Sequence, residues 1–181
     1  RTNALLEGHF ILSSGLHSSK YIQCAKLLSF PNLANNICKS LANKIKKNFK
    51  NIDLILSPAI GGIVVGYEIG RLLNKETIFC ERVKGKFNLR RGFFIKKNSK
   101  VLIVEDVITT GKSSLECAKL ITKSNANVLG YACIIDRSNG KSSIKDKIVS
   151  QVKLDIPTFK KDNLPESLKS IKAVKPGSRD L

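Results

Sequence analysis

Along this chain, short unbroken apolar runs alternate with stretches in which apolar residues return every three or four positions, the pattern of buried parallel strands joined by helices. Residues 53–56, 77–83, 101–104, 128–135 and 148–156 read as strands, with a return of β character at 93–95. Leu33, Ile37, Leu41 and Ile45 recur every four residues behind Pro31 and predict the first core helix, ending near Lys47. Further helices are expected over 63–73, over 115–121 where Leu115, Ala118 and Ile121 repeat, and over 165–171. Residues 7–28 mix short apolar groups with Ser-Gly turn signals and predict one or two short strands in a small N-terminal subdomain. The fold class that follows is α/β, a mostly parallel sheet flanked by helices.

Within this pattern the stretch KVLIVEDVITTGKSSLE, residues 100–116, carries the densest chemistry. Val101 to Val104 suits a strand buried on both faces, and Glu105 and Asp106 follow at its expected carboxyl end, where open α/β sheets bind ligands. Thr109, Thr110, Gly111, Lys112, Ser113 and Ser114 form a polar turn into the next helix. A helix N-terminus leaves backbone N–H groups unpaired and carries about half a positive charge, so this turn suits a phosphate. Gly111 admits close approach of the main chain, and the hydroxyls of Thr109, Thr110, Ser113 and Ser114 add donors. Carboxylates cannot hold a phosphate directly, so Glu105 and Asp106 must face hydroxyls, a cation or a positively charged transition state. Phosphoribosyl pyrophosphate (PRPP) joins a phosphate to a ribose diol beside a carbon that becomes cationic, and so satisfies both halves of the motif. Gly111-Lys112-Ser113 is not the end of a P-loop, because the glycine required five residues before Gly111 is Asp106. The plainer alternative is an ordinary strand–turn–helix with solvated acids and a capping Thr/Ser run.

Three other stretches bear on the same chemistry. Gly61-Gly62 ends a turn between a strand and a helix; it lacks the GxGxxG pattern of a dinucleotide fold but offers backbone donors for a pyrophosphate. Arg82, Lys84, Lys86, Arg90 and Arg91 crowd into a glycine-bounded hairpin loop, expected either as a solvated loop or as a mobile lid over a polyanion. Arg137 follows a strand, and its planar fork there favours recognition of a substrate carboxylate over a plain surface role.

Composition narrows the class without naming the chemistry. A chain of 181 residues suits one domain with a small appendage. No apolar run approaches the roughly 20 residues of a membrane-spanning helix, and no continuous apolar leader opens the chain, so a soluble, cytoplasmic protein is expected. Cys24, Cys38, Cys80, Cys117 and Cys133 are scattered, with no CxxC or Cys/His cluster, and read as reduced packing residues. His9 and His17 stand apart from any ligand set and are expected at the surface or in hydrogen bonds. The balance of 32 basic against 14 acidic residues, net +18, raises a nucleic-acid partner, yet the lysines are spread along the whole chain and favour a solvated surface. No methionine occurs, even at position 1, which leaves the natural start of the chain open.

Taken together, VEDVITTGKS at 104–113 resembles the PRPP motif of the type I phosphoribosyltransferases. LSSGLHSSKYIQ at 12–23, SPAIGGI at 57–63, ERVKGKFNLRRGF at 81–93, Asp136-Arg137 and KPGSR at 175–179 narrow the likeness to the orotate phosphoribosyltransferases. The loop begins Glu81-Arg82-Val83 and has no histidine, where many members have Arg-Lys-Glu and a histidine, and Gln23 stands where many carry aspartate. The chain therefore resembles a bacterial branch. The resemblance implies a single phosphoribosyltransferase domain over 1–181: a hood from 1–30 with part of the C-terminal tail, a core over 31–160, and a mobile basic loop at 84–92. It implies a pentosyltransferase of pyrimidine (UMP) biosynthesis, with Mg2+ held mainly by the substrate and a homodimer whose loop reaches the neighbouring site. It places Glu105, Asp106, Val107, Ile108, Thr109, Thr110, Gly111, Lys112, Ser113, Gly61, Lys86, Arg90 and Arg91 on PRPP, and Thr109 and Arg137 on orotate. Catalysis falls to Asp106, Glu105, Lys84 and Arg82. A purine or uracil phosphoribosyltransferase is the nearest alternative, and a PRPP-sensing DNA-binding regulator of the same fold is a third.

Overall fold

The computed structural model describes residues 2–12 and 14–176, and divides into two compact units, Arg1–Leu27 with Asp155–Leu181, and Leu28–Leu154. Of the motifs singled out above, Ser13 and residues 177–179 lie outside the described residues.

In the first unit, β1 (Leu5–Ile11) and β2 (His17–Ile22) pair antiparallel. Later residues join them through bridges from Phe10 to Val174 and from His17 to Phe159. His9 and His17 are both buried: one ring nitrogen of His9 donates to the Ile171 carbonyl at 2.9 Å, and the other lies 2.6 Å from His17 Nδ1. The two histidines thus resolve as a hydrogen-bonded pair. The tail forms a 3₁₀ turn at Lys161–Asn163 and a short helix at Glu166–Lys169, less than the expected 165–171.

The second unit holds a six-stranded sheet. Its elements are α2 (Pro31–Asn48, following the short α1 at Cys24–Leu28), β3 (Leu54–Pro58), α3 (Gly61–Leu73), β4 (Glu76–Val83), β5 (Lys86–Leu89), β6 (Lys100–Ile108), α4 (Lys112–Lys123), β7 (Asn127–Asp136) and β8 (Ile148–Lys153). The strand order is β5-β4-β3-β6-β7-β8, parallel throughout except for the antiparallel β4–β5 hairpin. The last strand therefore stops three residues short of the expected Ile156, and Phe93 to Ile95 is not a strand. The chain turns back earlier, at Lys84-Gly85, where both residues adopt positive φ (49° and 79°), the backbone that a two-residue hairpin turn demands.

β6 lies at the centre, with Val101, Leu102, Ile103 and Val104 all at 0% exposure, each contributing about 1.5–3 kcal/mol of burial. The chain leaves β3 toward β4 on one side of β6 and leaves β6 toward β7 on the other. Because such crossovers are right-handed, α3 and α4 fall on opposite faces of the sheet. The odd residues Val101 and Ile103 accordingly join Cys117 and Ile121 of α4 in one core cluster. The buried stripes of the helices are rotated from their predicted lines. In α2 it runs through Ala34, Cys38, Leu41, Ala42 and Ile45, leaving Leu33 exposed, because a strict four-residue repeat drifts around a helix of 3.6 residues per turn. In α4 it runs through Ser114, Cys117 and Ile121, with Leu115 and Ala118 only partly buried at its margin.

Candidate active site

Between β3 and β6 the sheet order reverses, which is where an open α/β sheet forms a crevice beyond the carboxyl ends of its strands. Two helices begin there, α3 at Gly61 and α4 at Lys112. Neither N-cap residue caps its helix through a side chain; the Lys112 N–H reaches Thr110 Oγ1 at 3.4 Å and the Ile63 N–H the Ile60 carbonyl at 3.2 Å, and the other backbone donors of the two first turns are left for a ligand. The Ala59–Ile60 peptide leading into α3 is cis.

The two neighbouring acids divide between these helices. β6 runs on to Ile108, so Glu105 and Asp106 lie within its last turns of pleat rather than beyond its end. Successive residues of a strand point to opposite faces. Glu105 therefore follows Val101 and Ile103 to the α4 side, where it accepts a hydrogen bond from the Ser114 hydroxyl. Asp106 turns to the α3 side, where a Cβ placed on Gly61 would come within 2.8 Å of Oδ2 and 2.9 Å of Oδ1. Asp106 Oδ1 accepts the Val107 N–H at 2.9 Å. Burial nevertheless dominates and pushes the Asp106 carboxyl above the ordinary aspartate range, with backbone donors pulling against it.

The polar turn after β6 is shaped around Gly111. This residue has φ 79° and is packed so closely that a Cβ would lie 2.7 Å from Ile144 Cγ1. Thr109, Thr110 and Lys112 are exposed, Ser113 is half-buried, and the Thr110 carbonyl accepts the Ser143 N–H at 3.0 Å. Val107 is half-buried and Ile108 lies in the core cluster, so the Ile108 side chain supports the loop from beneath. The Arg137 N–H donates to the Ile108 carbonyl at 2.8 Å, which fixes Arg137 beside the start of the Thr109–Gly111 turn. Asp136, just before it, is buried and accepts the Ser138 N–H at 2.8 Å.

The basic hairpin has two kinds of cation. Arg82 is engaged by its own chain: it donates to the Gly85 carbonyl at 2.8 Å, lies 4.0 Å over the Phe87 ring and pairs with Glu116 of α4 at 2.7 Å. Arg91 grips Glu81 with two bonds of 3.0 and 2.9 Å, and this fork, aided by the Arg91 and Arg90 charges, holds the Glu81 carboxyl below its usual range. Among the described residues, Lys84, Lys86 and Arg90 are exposed and form no ion pair. They are the hairpin's available cations.

Two contributors were not legible as such. Ser114, expected among the phosphate's hydroxyl donors, is fully buried and donates to Glu105 instead; its spacing to Cys117 and Ile121, three and seven residues on, was the signal that it faces inward. Glu116 received no role, and only the structure brings it to Arg82. Among the described residues no group of three or more His, Cys, Asp or Glu side chains is placed to hold a metal ion.

The sequence pattern of the family described as "Phosphoribosyl transferase domain" matches residues 25–170. An orotate phosphoribosyltransferase of Parvibaculum lavamentivorans is 46% identical over 182 aligned positions, covering 100% of this chain and 94% of its own. The crystal structure of orotate phosphoribosyltransferase from Aeropyrum pernix superposes with a TM-score of 0.74 at 23% identity, over 84% of this chain and 89% of that one. An adenine phosphoribosyltransferase from Thermoanaerobacter pseudethanolicus follows at 0.66 and 18%, over 75% of this chain and 88% of its own. At those identities the two structures speak for the fold, and both bases occur on it.

Proposed function

The chain belongs to the phosphoribosyl transferase family, and from that premise we propose that it is an orotate phosphoribosyltransferase, which joins the ribose 5-phosphate group of PRPP to orotate, releases pyrophosphate and serves pyrimidine (UMP) synthesis. The observation that carries the transfer chemistry is the crevice with two helix N-termini that no N-cap side chain bonds and one carboxylate beside each. The likeness over the full chain selects orotate among the bases.

In this reading the Thr109–Ser113 turn holds the 5-phosphate on the N-terminus of α4, while Gly61 at the start of α3 faces the pyrophosphate. Arg137, fixed beside Thr109 by its bond to Ile108, pairs with the orotate carboxylate. As the bond from C1 to the pyrophosphate oxygen breaks, its electron pair leaving with pyrophosphate, the ribose becomes oxocarbenium-like, and the orotate nitrogen, having released its proton to solvent, forms the new bond from the opposite face. Glu105 and Asp106 hold the ribose hydroxyls and oppose that positive charge. Lys84, Lys86 and Arg90, the exposed hairpin cations that form no ion pair among the described residues, neutralise the departing pyrophosphate, and hairpin closure excludes water.

The donor set suits Mg2+, a hard cation that keeps several waters and needs few protein ligands: this chain offers it the Glu105 and Asp106 oxygens, and the substrate's oxygens supply the rest. When bound, Mg2+ contributes charge neutralisation on the pyrophosphate. The reading extends to a homodimer whose hairpin serves the neighbouring site. Ile60, Val64 and Tyr67 support it, since they line one face of α3 beside Gly61 and are 79%, 50% and 66% exposed. Among the described residues no helix is long and apolar enough to cross a membrane, and five buried free thiols suit a reducing cytoplasm.

Arg137→Ala tests the orotate assignment. It should cost about 2–5 kcal/mol in kcat/KM for orotate while leaving PRPP affinity within about threefold, the effect of removing one partner of a desolvated charge pair. An equal loss toward both substrates contradicts the assignment of Arg137.

A further inference from the structure

We propose that Ser114 is a positioning residue for phosphoribosyl transfer, its buried hydroxyl holding the Glu105 carboxylate in one orientation at the edge of the crevice. The inference rests on the reading of Glu105 as the ribose-facing acid and adds a residue that this reading did not use.

Ser114 is 0% exposed and shares the inward stripe of α4 with Cys117 and Ile121. A hydroxyl buried on such a stripe is costly unless it is bonded. Serine has one O–H to donate, and here it is donated to Glu105, nine residues earlier on another element. A carboxylate accepts several hydrogen bonds, so the one from Ser114 leaves acceptor capacity for a ribose hydroxyl. Two thiols, Cys117 and Cys133, belong to the same core cluster as Val101 and Ile103, apolar residues of β6 that precede Glu105. The Glu105 charge contributes to raising both Cys117 and Cys133, which places the carboxylate near groups that donate weakly.

Ser114 also stands third in α4, in the turn whose backbone donors face the phosphate. A shift of that turn therefore moves the group that orients Glu105.

Wild type, Ser114→Ala, Glu105→Gln and the double variant would be compared by steady-state kinetics with PRPP, Mg2+ and orotate. Ser114→Ala is expected to lower kcat about 10-fold, the scale of one hydrogen bond to a charged group, while the KM values for PRPP and orotate stay within about twofold. In the Glu105→Gln background the same change should alter kcat by less than about twofold, because its route of action is already gone. Equal losses in both backgrounds, a loss that falls on KM rather than kcat, or a Glu105→Gln enzyme as fast as wild type would overturn the proposal. The Glu105 carboxyl chemical shift, observed by NMR at one fixed pH without substrate, separates this from the function itself. If wild type does not turn over orotate, the functional reading fails. A Glu105 carboxyl shift that is the same in wild type and Ser114→Ala overturns the Ser114 assignment whatever the substrate.

Discussion

Gly61 and Asp106 occupy touching positions at the sheet's reversal point, so close that a methyl group on the glycine would come within 2.8 Å of the Asp106 carboxylate. The contact joins the first residue of α3 to an acid of β6, and neither side has room to yield, since Asp106 is a short side chain held by the Val107 N–H. Gly61→Ala should therefore displace Asp106 and lower kcat/KM by about 10²-fold, the scale of a misplaced catalytic group. Circular dichroism and melting temperature should stay near wild type, because Gly61 itself is exposed. A fully active Gly61→Ala enzyme would show that Asp106 tolerates displacement.

Asp106→Asn should separate activity from stability. The shape and the bond from Val107 survive, but the charge opposing the oxocarbenium is gone, so kcat should fall by about 10²-fold or more. Burial raises the Asp106 pKa above its unfolded value, so the folded chain holds this proton more readily than the unfolded one. The stability contributed by the group is present below the ordinary value of 3.8 and is lost as pH rises through the raised folded pKa. At pH 7 the buried charge is thus a liability, and Asp106→Asn should melt higher than wild type. That advantage should shrink as pH falls toward the ordinary carboxylate range. Melting curves at several pH values check this; a lower melting temperature for the variant at pH 7 would contradict it.

The strand leading to the acids was legible because an apolar run followed at once by two carboxylates is a local signal, although β6 runs on through the acids to Ile108 where the expected strand stopped at Val104. The split of those carboxylates between two helices was not, because it depends on β3 lying beside β6, a pairing of residues some 50 positions apart that no local pattern encodes. The hairpin shows a different limit. Phe93 to Ile95 looked like the returning strand, whereas Lys86–Leu89 fills that role, its period-two burial of Phe87 and half-burial of Leu89 masked by the surrounding charges. Likewise Arg82 and Arg90 are alike in sequence, and only the structure shows that Glu116 occupies one of them.

The hairpin cations lead to a prediction about the assembly. Lys84→Ala with Lys86→Ala should disable the hairpin, Asp106→Asn should disable the crevice, and each protein alone should be nearly inactive. If the hairpin of one subunit serves its neighbour, mixing the two under conditions of proven subunit exchange should restore activity through sites with an intact crevice and an intact hairpin. An inactive mixture would assign the hairpin to its own chain.

Base selection during PRPP-dependent pyrophosphate release tests the central claim most directly. With PRPP and Mg2+ present, the purified protein would be offered orotate, uracil, hypoxanthine and adenine in turn, and kcat/KM measured for each. A carboxylate-reading Arg137 predicts rapid release with orotate and at least about 10²-fold less with any base lacking the carboxylate, since a site built around a charge is left with that charge unpaired. Comparable turnover of uracil or a purine would contradict the account.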